Sequence, residues 1–485
     1  MARAAAWSRV GLAVAVVLVL GTAACAGGRS PTGPDGAEGD QRYGPAPVPH
    51  PEVTYQPDVV IVGGGSGSVR AVSPDALTWF IDPRAERADD LRPGKIMFLT
   101  GRAVGRILDV RRDGEHLAVT LGPVDITEVI RDGTFTAEQP VPLDAPQRHD
   151  AGAPFWAEYD ADPAGPPETF GPGPVTAGAA VRVGDLAPGS FHVAAAPAAV
   201  PAPPRRQAGG FSVTPTCCTG GVGARFTYDS GGIRLAGQVT LLMEKPSGRF
   251  HLEIRGGTVQ RAEMRIHGMA GLRVEIAGAT TVKENISRHI PIPVDFSVPI
   301  GQILGVPFSA TVNQIVGVQT AFSSEDGNIK AAGEWSLSGS LGFGYVNGSF
   351  QGPSLAEFTT RNSILDSVTG VSVGVTGIIV SYQAAFRIGL GAFGFTAGLY
   401  LKMTVTVGLT VGSALGAPLT LCRGAQLGIW ADYGVGYRIP SGLVKAINAF
   451  LELINVSPID REGGIGTVEN LFNRSVVQPD VPLCR

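Results

Sequence analysis

The most regular pattern in the chain lies between residues 393 and 411, where apolar side chains occupy every odd-numbered position and Gly, Thr, Tyr or Lys stand between them. A period of two is typical of extended backbone with one apolar face. At about 3.3 Å per residue, one strand of this length would run roughly 60 Å. A two-residue hairpin would shift the apolar set to even-numbered positions. The pattern therefore favours one long strand curved at its glycines; the alternative is a loop with an odd number of residues near Gly398.

The odd-numbered face of this stretch is the candidate binding feature of the sequence. A long, smooth apolar face that the rest of the chain closes only in part would suit acyl chains. The candidate hydrophobic-ligand face consists of Phe393, Phe395, Leu399, Leu401, Met403, Val405, Val407, Leu409 and Val411.

Similar alternation recurs through residues 209–485 and predicts a large antiparallel sheet with long curved strands. The segment 290–300 alternates apolar residues with prolines, which cannot donate to a ladder, so we expect an edge strand there. A phase change around 244–249 predicts a hairpin in which Met243 lies opposite Phe250. Residues 57–145 carry shorter apolar runs around an Asp-Gly turn and predict a small β-barrel or sandwich. The fold class is thus all-β, with two β domains.

One segment of the large domain has a helical period instead. Ser441 is a plausible N-cap, and apolar residues follow at helical spacing up to Ile454, which predicts an amphipathic helix over residues 442–454. Core packing is the favoured role, and membrane insertion is the alternative. The polar face carries too few Lys or Arg for a typical interfacial helix.

Composition separates the domains. The chain of 485 residues contains 67 glycines and 37 prolines, which favours turns and linkers over helical bundles. Residues 26–56 are rich in Gly, Pro and polar side chains and predict a disordered tether. Residues 146–208 are rich in Pro and Ala and predict a second linker.

The first 25 residues have the features of an export signal. Arg3 and Arg9 precede an apolar run from Val10 to Leu20, and this run is short for a membrane span. The following Ala23, Ala24 and Cys25 resemble a bacterial lipobox, although Thr22 stands where an aliphatic residue is usual. This resemblance covers residues 1–25 only and implies that Cys25 carries a lipid. The alternative is ordinary cleavage after Ala26, which would leave a free secreted protein.

The other four cysteines are candidates for two disulfides. An even number in an exported chain favours disulfides, and a bridge between adjacent cysteines would be strained. We therefore expect each of the adjacent pair to bond to one of the two later cysteines, the four being Cys217, Cys218, Cys422 and Cys484.

Catalytic, metal-binding and cofactor-binding patterns are weak. Residues 63–68 read GGGSGS after a strand, but no helix of the kind needed by a dinucleotide site or a nucleophile elbow follows them. The seven histidines lack ligand spacing, and a net charge of -4 without a basic run gives no reason to expect nucleic acid. We expect a non-enzymatic protein without a cofactor or metal.

Three functions fit these patterns. The first is an exported structural or interaction protein at the cell surface, anchored to the outer side of the cell membrane by its lipid, with an unknown protein partner. The second is a carrier of a lipid or another hydrophobic ligand. The third is a membrane-embedded β-structure, since alternating strands also occur in outer-membrane barrels.

Overall fold

The structure is a computed structural model, and it describes residues 39–40, 43–73, 77–140 and 206–481 with short gaps. The gaps are 209, 218–220, 292–295, 324, 339, 353–356, 363–366, 372–374, 393–394, 415–416, 439–443, 445–446, 449–450, 453–457 and 459–461.

Strands dominate the described residues, and nearly all of their pairings are antiparallel. In chain order they are β1 Thr54–Tyr55, β2 Val59–Ile61, β3 Val69–Val72, β4 Thr78–Ile81, β5 Ile96–Thr100, β6 Ala103–Asp113, β7 His116–Gly122, β8 Ile130–Pro140, β9 Arg206–Ala208, β10 Phe211–Cys217, β11 Gly221–Ser230, β12 Ile233–Arg255, β13 Thr258–Thr280, β14 Ser287–Pro291, β15 Phe296–Ile303, β16 Val306–Phe322, β17 Gly327–Ser338, β18 Ser340–Val346, β19 Ser349–Gln351, β20 Glu357–Asn362, β21 Thr369–Val371, β22 Val375–Ala392, β23 Phe395–Ala414, β24 Ala417–Arg438 and β25 Glu462–Gln478.

Helical structure is sparse in these residues. It comprises α1 Ile126–Val129, two 3-10 turns at Gly65–Ser68 and Ala88–Asp90, and helical residues at 39–40, 43, 367, 444, 447–448 and 451–452. The all-β fold class with long strands and an amphipathic helix in the large domain is confirmed.

Two large sheets pack face to face around one apolar core. A twelve-stranded sheet is built on β12 and β13, and a seven-stranded sheet runs in the order β14-β16-β22-β23-β24-β25, with β15 also on β16. The inward side chains of both sheets belong to a single buried cluster. Rings meet across the interface: Phe343 and Tyr433 lie 5.2 Å apart between centroids, and Phe250 and Phe308 lie 5.4 Å apart. The large domain is therefore a β-sandwich.

The long strand expected from the parity of residues 393–411 is confirmed. β23 pairs continuously with β22 on one side and with β24 on the other, and its first register shift comes only at Ser413 and Ala414. Odd-numbered residues consequently stay on one face along its whole length.

The hairpin predicted around residues 244–249 is wrong. β12 continues through it and pairs with β13 on both sides, with Met243 opposite Met269 and Ser247 opposite His267. Three residues of β12 thus bulge opposite Gly268, whose Cβ, if present, would lie 2.3 Å from the carbonyl oxygen of Glu244. A bulge shifts the apolar phase of a strand as a turn does, so the phase change alone did not distinguish them.

A six-stranded sheet, in the order β2-β5-β6-β7-β4-β3, lies between two cores. Alternate residues of β5 divide between them: Ile96 and Phe98 join the core of the sandwich, whereas Met97 and Leu99 join a second core with Trp79. Ile447 and Leu451 of the predicted helix complete this second core. The helix therefore covers the six-stranded sheet.

Parts of the two predicted linkers are folded. Residues 43–56 pack against the protein: Val48 donates to the carbonyl of Gly305, Val53 is buried, and β1 pairs with β8. The predicted tether was too long at this end, because Tyr43 and Val53 supply the apolar contacts that its composition seemed to lack. Residues 141–205 lie outside the described residues, and β9, at the end of the second predicted linker, pairs with β10.

Candidate interaction surface

The candidate hydrophobic-ligand face of β23 is packed against protein. Its described side chains are at most 2% exposed and share one cluster with inward residues of the twelve-stranded sheet, such as Leu241 and Leu272. These side chains are Leu399, Leu401, Met403, Val405, Val407, Leu409 and Val411. Phe393 and the side chain of Phe395 lie outside the described residues. The arrangement is that of a core.

The even-numbered face of the same strand carries a buried ion pair. Lys402 of β23 stands opposite Asp432 of β24, and Lys402 Nζ lies 3.2 Å from Asp432 Oδ2. Both side chains are at most 10% exposed, and Gln383 and Thr404 beside them are buried as well. Sequence reasoning missed this pair because Lys402 looked like a solvent-facing residue and nothing local points to Asp432.

Aromatic side chains on this face lie over glycines, Trp430 over Gly428 of its own strand and Tyr400 over Gly466 of β25. A Cβ at Gly428 would stand 2.2 Å from the ring of Trp430, and one at Gly466 would stand 2.1 Å from the hydroxyl of Tyr400. Tyr400 therefore reaches from β23 over β24 to β25. Glycine is needed at both positions because any side chain would displace the ring.

The two edges of the seven-stranded sheet differ in their protection. At one edge, β14 ends at Pro291 and β15 contains Pro299, and among the described strands both pair only with β16. This confirms the edge strand predicted from the prolines, which withhold the N–H groups that a foreign strand would use. At the other edge, β25 contains neither proline nor lysine over its 17 residues.

β25 is exposed along most of its length. Among the described strands it pairs only with β24. Val468 is 53% exposed and Val476 is 38% exposed, two of the four large apolar side chains that are this open to solvent among the described residues. In the twelve-stranded sheet, the edge strands β9 and β19 have three residues each, and the edge strand β20 has six. A long, exposed edge strand is a template for pairing with another strand.

A bulge divides β25 at Leu471. Ile429 of β24 pairs with Phe472 and Trp430 pairs with Asn470, which leaves Leu471 without an opposite residue. Leu471 and Phe472 both pack against the sandwich core. The bulge reverses the alternation halfway along the strand, so β25 shows no sustained period of two. This is why sequence reasoning missed β25.

Glu469 and Arg474 flank the bulge, and both are exposed. Glu469 stands opposite the buried Ala431, and Arg474 stands opposite the buried Leu427, so both point to the core side of the sheet. Burial, and then the negative charge of Glu469, raise the pKa of Tyr433 to about 12. The rim of the sandwich beside β25 therefore combines a charged edge with an aromatic interior.

The glycine-rich segment after β2 forms the short 3-10 turn Gly65–Ser68, in which the hydroxyl of Ser68 donates to the carbonyl of Gly63, and a strand rather than a long helix follows. Cys422 is disulfide-bonded. Cys25, Cys218 and Cys484 and the side chain of Cys217 lie outside the described residues, so the pairing of the cysteines stays a prediction.

The described residues hold neither a metal-ion cluster nor a membrane-crossing helix. No group of three or more His, Cys, Asp or Glu side chains there is arranged to hold a metal ion. None of the described helices has the length and hydropathy of a membrane-crossing helix.

The fold defines an all-β protein in which a two-sheet sandwich carries a six-stranded sheet at its side. In sequence, residues 192–467 match a domain of unknown function, DUF8402, and the chain belongs to this family, because the match spans more than half of it. Residues 39–132 match a second domain of unknown function, DUF8403. No curated protein and no solved structure matches the chain.

Proposed function

We propose that this chain is an exported, lipid-anchored, non-enzymatic protein of the cell surface that binds its partner by adding a strand to β25. The observation that carries the proposal is the exposed, proline-free edge of β25, set against the proline-containing opposite edge. In strand addition, backbone hydrogen bonds supply affinity and side-chain contacts supply specificity. The carrier alternative is less well supported, since the described part of its apolar face is buried in the core.

The anchor is proposed on the N-terminal pattern alone. A lipid on Cys25 would hold the folded domains on the outer side of the cell membrane. A single acyl modification binds membranes only weakly, so stable anchoring requires more than one chain or a second contact.

Replacing Cys25 by serine is expected to release the protein. Expressed with its signal in a lipoprotein-processing bacterium, the unaltered chain should fractionate with the membrane and gain the mass of a lipid, because the thiol is the attachment point. C25S should lose both properties. An unaltered chain found in the medium without added mass would support ordinary cleavage after Ala26 and overturn the anchor.

Crosslinking tests the proposed edge directly. A photo-reactive phenylalanine at Val468, on β25, is expected to give adducts on intact cells, whereas the same group at Val48 should give none. Val48 is a matched control because it is 49% exposed and lies beside Gly305, at the opposite edge of the seven-stranded sheet.

A second substitution checks that the adducts arise by pairing with β25. V476K places a lysine on the edge, which disfavours strand addition. It should remove the adducts made from position 468 without lowering the thermal stability of the chain. No adducts from position 468, or equal adducts from position 48, would contradict the proposed function.

A further inference from the structure

We propose that the strand added to β25 is β25 of a second copy of this chain, in antiparallel orientation, with Glu469 of each copy facing Arg474 of the other. This inference rests on the proposed function, since it uses the same free edge. It is carried by the placement of the bulge and of the two charges around it.

The bulge at Leu471 decides which side chains share a face. Before it, Thr467 and Glu469 stand opposite Tyr433 and Ala431, which are core residues of β24. After it, Arg474 stands opposite the core residue Leu427. Odd-numbered residues before the bulge and even-numbered residues after it therefore point to the same side.

A two-fold axis perpendicular to the sheet imposes a strict condition on such a pair. Residues directly opposite each other in an antiparallel ladder must point to the same side, and each contact must occur twice. In a register centred on the bulge, Leu471 faces Phe472 of the second copy. Outward from there, Asn470 faces Asn473, Glu469 faces Arg474, Val468 faces Ser475 and Thr467 faces Val476. In each of these pairs, the two side chains point to the same side of the sheet.

Other two-fold registers satisfy the condition less well. If each strand slips by one residue in one direction, Asn470 on the outer side lies opposite Leu471 on the core side. If each slips in the other direction, Phe472 on the core side lies opposite Asn473 on the outer side. The registers centred on Glu469 or on Arg474 place that residue opposite its own copy, and like charges directly opposite are destabilising. The bulge-centred register keeps both the faces and the charges matched.

The apolar pairs at the centre give this register a second source of affinity. Leu471 and Phe472 are only partly buried in the single chain, where they pack against the sandwich core. A second β25 would cover them and extend the seven-stranded sheet into a continuous sheet across both copies. The same contact would bring hydrogen-bonding partners to the edge of β25 that faces away from β24, in both copies.

Charge reversal tests the pairing. The full chain, in detergent solution, is expected to show a concentration-dependent dimer by sedimentation velocity. E469R and R474E should each weaken dimerisation by about tenfold or more, because each places two like-charged pairs across the two-fold axis. The double variant E469R/R474E should regain the dimer, since its charges are again complementary.

Mixing the two single variants gives the sharpest result. The two reversed side chains then face each other with opposite charges, and so do the two unreversed ones, so E469R and R474E should form a heterodimer more readily than either forms a homodimer. Misfolding would not produce this recovery. Absence of recovery, in either the mixture or the double variant, would overturn the bulge-centred register.

The two proposals can fail separately. If the chain stays monomeric while crosslinks from position 468 join it to a different protein, the second-copy inference is overturned and the proposed function stands. If a dimer forms that neither V476K nor the charge reversals affect, and position 468 gives no adducts, both are overturned. Adducts of twice the chain mass that E469R weakens would support both.

Discussion

Replacing Asp432 by alanine is expected to lower the free energy of unfolding by about 3–5 kcal/mol, because it removes the counter-charge 3.2 Å from the ammonium of Lys402 in a buried setting. The double variant K402M/D432L should be less destabilised than D432A, since apolar side chains of similar volume avoid the desolvation of both charges. Chemical denaturation of the three proteins measures the differences.

An exposed pair supplies the control for this experiment. Arg234 and Asp229 also face each other across neighbouring strands, 3.0 Å apart, but their side chains are 76% and 69% exposed. Removing such a pair typically lowers the free energy of unfolding by about 0–1 kcal/mol. If D432A costs no more than R234A, the ion pair of the seven-stranded sheet does not have the buried character described above.

Replacing Leu401 by alanine is expected to cost about 2–5 kcal/mol, because its side chain is fully buried between the two sheets and its loss leaves a cavity. Thr410 on the same strand points to the other face and is exposed, so T410A should change stability by about 0.5 kcal/mol or less. Thermal unfolding of both variants measures the contrast.

L401A also distinguishes a packed core from a ligand cavity. In a core, L401A unfolds more easily and gains no affinity for fatty acids. In a cavity that normally holds an acyl chain, the truncation would be tolerated and would alter the uptake of a fluorescent fatty acid. A cost near that of T410A, together with changed uptake, would contradict the packing of β23.

The sequence predicted best those features that depend on local alternation. The length of β23 followed from the parity of its apolar residues, and the edge at β14 and β15 followed from prolines that cannot donate hydrogen bonds. The Asp-Gly turn between β6 and β7 was predicted in the same way, and Asp113 indeed pairs with His116. In each case the information lies within a few consecutive residues.

Features that depend on distant partners or on bulges were missed. Nothing near residues 393–411 indicates that the twelve-stranded sheet covers their apolar face. The bulge opposite Gly268 imitated a hairpin in β12, and the bulge at Leu471 concealed β25 altogether. A single inserted residue inverts the alternation on which strand prediction rests, so the candidate interaction surface could be found only from the strand pairing.

Hydrogen–deuterium exchange along β23 and β25 tests the central claim most directly. The claim is that β23 belongs to a packed core and that binding occurs on the free edge of β25. We expect slow exchange throughout β23 at every protein concentration. In β25 we expect amides that exchange rapidly in dilute protein and become protected as the concentration rises through the dimerisation range. Rapid exchange in β23 that added lipid slows, with β25 unchanged by concentration, would contradict the account.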